Sequence, residues 1–182
     1  MSGFPTGEIF DTFAEDLLAE RTARPLIIVG TSKIDQLLYE ILNIHLLPKL
    51  ASPKEPDELL EGDKPLGTFS ARIKICYRLG LIDKKLYVAL EKLRKLRNPS
   101  AHWIAFDITT SPARELIEEL HRHVTGRQSF RLTKQRYFDG SQFNKIEEMQ
   151  CVLLTLCVLL EAIRKSTTSA LGNKTALKIA AR

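Results

Sequence analysis

FNKIEEMQCVLLTLCVLLEAIRKS, residues 143–166, decides the architecture. Between positions 151 and 163 nearly every side of a helix would be apolar, which leaves no face for water along that length. The unbroken run CVLLTLCVLL, residues 151–160, is about half of the ~20 residues that a membrane-spanning helix needs. A helix of this kind belongs at the centre of a bundle, and part of its surface can serve an interface between copies. The rest of the chain then has to supply the helices that cover it.

Working outward, the other long segments carry the same period. EIFDTFAEDLLAER, residues 8–21, places Ile9, Phe10, Phe13, Leu17 and Leu18 on one face with acids opposite and in the first turn, where the helix dipole favours them. Pro25 is expected to separate this helix from the next. Residues 26–46 repeat Ile34, Leu37, Leu38, Ile41, Leu42 and His45 at spacings of three and four, which predicts one long helix ended near Pro48. His45 on that stripe reads as a half-buried, hydrogen-bonded residue and not as a ligand. ASPKEPDELLEGDKP, residues 51–65, has the prolines and acids of a surface linker, with Leu59 and Leu60 expected to pin it to the body.

PLGTFSARIKICYRLGLI, residues 65–82, opens with a proline and a hydroxyl residue able to cap, and predicts a helix with Phe69, Ile73, Cys76 and Tyr77 turned inward, closed by Gly80. Asp83 is placed to cap DKKLYVALEKLRKLRN, whose buried stripe is Leu86, Leu90, Leu93 and Leu96 or Arg97. Pro99 disfavours helical geometry at Asn98, so a stop or kink is expected there, with His102 and Trp103 just beyond it or at the start of another helix. SPARELIEELHRHV, residues 111–124, reads as a helix capped from Ser111, with Leu116, Ile117 and Leu120 as its apolar side. The expectation is therefore an all-α, single-domain helical bundle of about six or seven helices. It is taken to span residues 1–165, followed by a basic, flexible tail at 166–182.

Composition narrows the chemistry. Cys76, Cys151 and Cys157 are an odd number of cysteines, and two lie in the apolar run, so they read as buried thiols of a reducing compartment. No zinc spacing is seen, His121 and His123 would diverge on a helix, and no metal or cofactor is expected. The acidic N-terminal stretch lacks the pattern of a signal peptide, which points to the cytoplasm and to no membrane association. No glycine-rich phosphate loop, nucleophile elbow or paired-carboxylate motif suggests a common enzyme class. The net charge of +5 conceals polarity, because residues 1–63 hold 12 acids and 5 bases while residues 64–182 hold 10 acids and 22 bases. Such a chain can attract phosphate backbones, or pair basic with acidic regions in a homodimer.

Two constellations stand out. HRHVTGRQSFRLTKQRYF, residues 121–138, contains Arg122, Arg127, Arg131, Lys134 and Arg136 without an acid, interleaved with Phe130, Tyr137 and Phe138. Cations among aromatics suit nucleic acid; the plainer alternative is a solvated loop whose aromatics fold back on the core. The other is LRKLRNPSAHW, residues 93–103, in which Arg97 and His102 stand five apart. On an unbroken helix that is about 140° of rotation, so only a change of backbone course would bring guanidinium and imidazole together.

PLGTFSARIKICYRLGLI followed by LRKLRNPSAH resembles the mannitol operon repressor family of bacterial all-helical proteins, over residues 26–124. The resemblance implies a role in transcriptional control of sugar-alcohol metabolism. No helix-turn-helix pattern is legible, so regulation through a protein partner, such as a sugar phosphotransferase component, fits better than direct reading of bases. Arg97, Asn98, His102, Arg72 and Lys74 are the motif positions expected to bind a ligand or partner. The Arg-Asn-x-x-x-His spacing by itself is also similar to HEPN domains, which include metal-independent ribonucleases. In that alternative Arg97 and His102 would be catalytic, the histidine moving the proton of a ribose hydroxyl and the arginine stabilising charge on phosphorus. The structural alternative is preferred to chemistry: Arg97 suits a helix C-terminus and His102 can donate a hydrogen bond to a freed carbonyl.

Overall fold

A computed structural model describes residues 7–46, 49, 55–102, 106–138 and 143–170. Those residues form seven helices and no strand: α1 (Glu8–Ala19), α2 (Ala23–His45), α3 (Phe69–Arg78), α4 (Lys84–His102), α5 (Ala113–Val124), α6 (Gln128–Tyr137) and α7 (Lys145–Ala170). The all-helical bundle read from the sequence is the architecture found. No helix among the described residues is long and apolar enough to cross a membrane.

The centre is α7. Every residue from Met149 to Val158 is buried, and so is Leu160, so the helix is enclosed on all sides over that length. Its most extensive neighbour is α2, which buries Leu26, Ile27, Ile34, Leu37, Leu38, Ile41 and Leu42. The two axes approach closely because Gly30 faces Leu153: a Cβ at position 30 would lie 2.7 Å from Leu153 Cδ1. Two polar groups inside α7 are satisfied locally or by a helix end. Thr155 Oγ1 donates to the Cys151 carbonyl at 2.7 Å, while the buried Gln150 amide donates to the carbonyls of Leu17, Leu18 and Glu20 at 3.2, 3.0 and 2.9 Å. Those carbonyls sit at the end of α1, where no further helical turn supplies donors. Gln150→Leu keeps the volume and removes the donor, so it should lower stability by about 1–3 kcal/mol. A shift in urea midpoint checks it.

Boundaries differ from expectation at several places. Helix α2 begins at Ala23 and not after Pro25, because the third helical position is one whose N–H has no intrahelical acceptor. Of the two leucines thought to pin the linker, Leu60 is buried and Leu59 is 41% exposed. Asp57 explains the local turn, since its carboxylate accepts from the N–H groups of both Leu59 and Leu60 at 2.8 Å. On α3, Phe69, Ile73 and Cys76 are buried as expected, but Tyr77 is 37% exposed and stacks on Tyr87 of α4 at 4.6 Å between centroids.

Local signals account for the α3–α4 hairpin. Thr68 Oγ1 accepts from Ala71 N at 3.2 Å to cap α3, and Gly80 at φ 70° supplies the left-handed turn after it. Asp83 Oδ1 accepts from Leu86 N at 2.6 Å and caps α4. Helix α5 starts at Ala113, and Ser111 does not cap it; its hydroxyl donates to Glu115 at 2.8 Å instead. Ile117, Leu120 and Val124 bury the inner side of α5, while Leu116 is half-buried. The segment whose alternative was a loop contains a helix, α6, with Phe130 and Thr133 buried. Helix α7 continues to Ala170, beyond the position where the tail was expected to start, and residues 171–182 lie outside the described ones.

Candidate functional site

The motif residues fall on the α3–α4 hairpin. Arg72 of α3 has all three of its nitrogens engaged by its own fold: Nη1 with Asp35 of α2 at 2.7 Å, Nη2 with the Leu60 carbonyl at 2.8 Å, and Nε with the Leu66 carbonyl at 3.0 Å. Its guanidinium also lies 5.3 Å from the Tyr39 ring centroid. Only 11% of the side chain is exposed. Expected to meet a ligand or partner, Arg72 instead clamps the 57–68 loop against α2. Lys74, two residues further on, is exposed.

Arg97 and Asn98 are exposed on α4, just beyond the buried Leu93 and Leu96. The helix does not stop or kink off at Asn98: it runs through Pro99 to His102. Pro99 removes one backbone donor, a cost of about 3 kcal/mol in an isolated helix, and tertiary burial on this side overrides it. Ser100 is fully buried, and its hydroxyl donates to the Arg97 carbonyl at 2.7 Å. With the helix unbroken, positions 97 and 102 remain about 140° apart around its axis. The change of course that would have joined them is therefore missing, and His102 is the last residue of α4 and not a residue beyond a break. The side chain of His102 and the whole of Trp103 lie outside the described residues.

The basic segment is divided by its own fold. Arg127 Nη2 reaches both oxygens of Asp83 at 2.7 and 3.0 Å, Arg136 reaches Asp11 at 3.3 Å, and Lys134 lies 4.5 Å from the Phe143 centroid. Arg122 and Arg131 are exposed and make no ion pair among the described residues. Phe130 is buried with its ring edge-on to His121, and Tyr137 and Phe138 are packed against the core. The aromatics fold back, as the plainer alternative held. His121 Nδ1 sits 3.4 Å from Glu148, linking α5 to α7.

Asp83 joins the hairpin to this segment. Burial pushes its carboxyl up, but the hydrogen bond from Arg127 and the Leu86 N–H together outweigh that and hold it below the usual carboxylate range. A folded-state value below the unfolded one adds stability that is present above the unfolded value and lost as pH falls through the folded one. Wild-type stability should therefore decline below about pH 4, with a shallower decline in Asp83→Asn. Thermal melts across that range check the difference.

Burial pushes the thiols of Cys76, Cys151 and Cys157 up to about 12, so none is poised as a nucleophile. A groove of about 570 Å³ lies between the start of α1, α2 and the end of α7, lined by Ile9, Phe10, Lys33, Gln36, Glu40 and Arg164 among others. Three of its charges pair with one another, Arg164 with Glu161 at 2.6 Å and with Glu40 at 3.4 Å, and Lys33 lies over the Phe13 ring at 5.7 Å. Nothing in the sequence pointed to this groove, because its residues come from three helices far apart along the chain.

No family model matches the chain. The chain is similar to the mannitol operon repressor of Escherichia coli K12, and equally to that of a second E. coli strain, with 34% identity over 93 residues. That match covers 48% of this chain and 46% of the relative, so the chain spans about half the length of the curated relatives it matches. Among solved structures it is similar to the X-ray structure of the MtlR–HPr complex from E. coli, with a TM-score of 0.57, 21% identity, and coverage of 87% of this chain and 99% of that one. A possible transcriptional regulator, YggD from Shigella flexneri, matches with a TM-score of 0.56 and 15% identity over 91% of this chain and all of that one. At these identities the two structures establish a shared all-helical fold.

Proposed function

We propose that the protein is a regulatory binding protein resembling the mannitol operon repressor, acting in transcriptional control of sugar-alcohol metabolism through a protein partner of the phosphotransferase type. The observation that carries this is the 34% identity to the curated repressor, together with a fold shared with the repressor of the MtlR–HPr complex. The internal engagement of Arg127, Lys134 and Arg136 favours a protein partner over nucleic acid as the main ligand, because phosphates would have to compete with carboxylates and a ring already in place. The uninterrupted α4 argues against the ribonuclease alternative, which needs Arg97 and His102 to converge.

Titration calorimetry with purified HPr, alongside operator-length DNA and labelled single-stranded RNA at several salt concentrations, tests the reading. Saturable binding of HPr is expected, with DNA binding weak and steeply salt-dependent and with RNA left intact in chelator. Failure to bind HPr together with tight, sequence-selective DNA binding would overturn it. Chelator-resistant RNA cleavage abolished by His102→Ala would restore the nuclease alternative.

A further inference from the structure

The turn between α3 and α4 carries an exposed patch that the fold leaves open. Leu79 is 40% exposed and Tyr77 37%, and Arg78, Lys84 and Lys85, exposed cations, stand beside them along the same turn. None of those three cations makes an ion pair among the described residues, and the nearest acid in sequence, Asp83, is held by Arg127. At the other end of α3 the 55–64 loop presents the opposite chemistry: Glu55, Asp57, Glu58, Glu61 and Asp63 against Lys64, with Leu59 41% exposed among them. The Arg72 clamp does not neutralise these acids, because its charge partner is Asp35 on α2. Arg72 does fix the loop, through the Leu60 and Leu66 carbonyls. Each patch therefore has an apolar centre and a charged rim, and the two rims have opposite sign.

We infer that these two patches form the self-association surface of the protein, the occupant of each being the other patch on a second copy. Helix α3 has ten residues, so its two ends, each leading into one of the patches, are separated by a rise of about 14 Å. A two-fold axis across the middle of α3 sets each copy's basic tip on the other's acidic loop, which closes the assembly at a dimer. Lys74 lies nearest that axis, where its flexible stem lets the ammonium turn away from its symmetry mate. The rims are exposed, so the attraction is screened at high salt. The inference does not depend on which protein the chain regulates or on HPr binding.

Analytical ultracentrifugation over a range of protein concentrations tests it, with a two-variant mixing design. Wild type should associate to a dimer at about 25 mM salt and dissociate towards monomer near 0.5 M. Arg78→Glu/Lys85→Glu makes both rims acidic, and Glu55→Lys/Glu58→Lys/Asp63→Lys makes both basic, so each variant alone should self-associate at least about tenfold more weakly. Mixed one to one, they should recover a heterodimer, because each acidic rim again meets a basic one. All five positions are exposed, and helical circular dichroism with an unchanged melting midpoint establishes that the variants fold. A wild-type chain that stays monomeric at low salt overturns the inference, as does self-association that the two variants do not alter. Loss in both variants without recovery on mixing also overturns it, since the patches would then not face one another.

Discussion

Arg72→Met should lower the stability of the whole bundle by about 2–3 kcal/mol, at or just under the low end found when one partner of a buried ion pair is removed, since Asp35 keeps 30% of its side chain in water. Three groups lose their donor at once: Asp35, the Leu60 carbonyl and the Leu66 carbonyl. Methionine retains most of the aliphatic stem, so the loss reports what the guanidinium contributes, its place over the Tyr39 ring included. Arg72→Lys should recover only part of the difference, because one ammonium can meet Asp35 but cannot reach three acceptors in a planar fork. The measurement is the urea midpoint of each variant. The same substitution should speed proteolysis within residues 57–66, since the loop loses the clamp that holds two of its carbonyls. Equal midpoints for wild type and Arg72→Met would refute the bracing role and return Arg72 to the list of residues available to a ligand.

The second large effect belongs to the crossing of α2 and α7. Leu153 is fully buried against Gly30, so Leu153→Ala should cost about 2–5 kcal/mol, the transfer free energy of the lost methyl groups plus the cavity they leave. Gly30→Ala alone places a methyl 2.7 Å from Leu153 Cδ1, and overpacking of about 1–3 kcal/mol should exceed the gain of up to ~1 kcal/mol in helix propensity. In the double variant the new methyl enters the space that Leu153 vacates. The two changes should then be less damaging together than their sum, with a coupling of about 1–2 kcal/mol. Strict additivity in a double-mutant cycle would mean that the helices adjust their separation and that Gly30 does not set it.

Much of the fold is legible without coordinates because its signals are local. The spacing of three and four in α2, the Thr68 and Asp83 caps, the glycine after α3 and the all-round apolarity of α7 each need only a few neighbouring residues to be interpreted. The burial of Cys151 and Cys157 follows from the same apolar run. Less could be read of the candidate site. Whether Arg72, Arg127 and Arg136 are open to a partner depends on Asp35, Asp83 and Asp11, which lie 37, 44 and 125 positions away. No short window can show that a cation is already matched.

Pro99 marks the same division. By itself the sequence offers a helix breaker between Arg97 and His102, and local sterics favour a change of direction there. The tertiary structure keeps α4 continuous, because Ser100 and Leu96 are buried and their contacts outweigh one lost backbone bond. Leu59 and Leu60 divide in a related way: adjacent in sequence and identical in chemistry, they differ in exposure because the Asp57 turn and the Arg72 clamp orient one inward and leave the other at the surface. Sequence alone determined that the chain would be helical, where α3 and α4 are capped, and most of the stripe that α2, α4 and α7 bury, while Ile9, His45 and Tyr77, expected on or near inner faces, are exposed. Packing between distant segments decided which charges are neutralised, which apolar residues stay in water and where the backbone runs straight, since those outcomes rest on interactions that exist only once the helices meet.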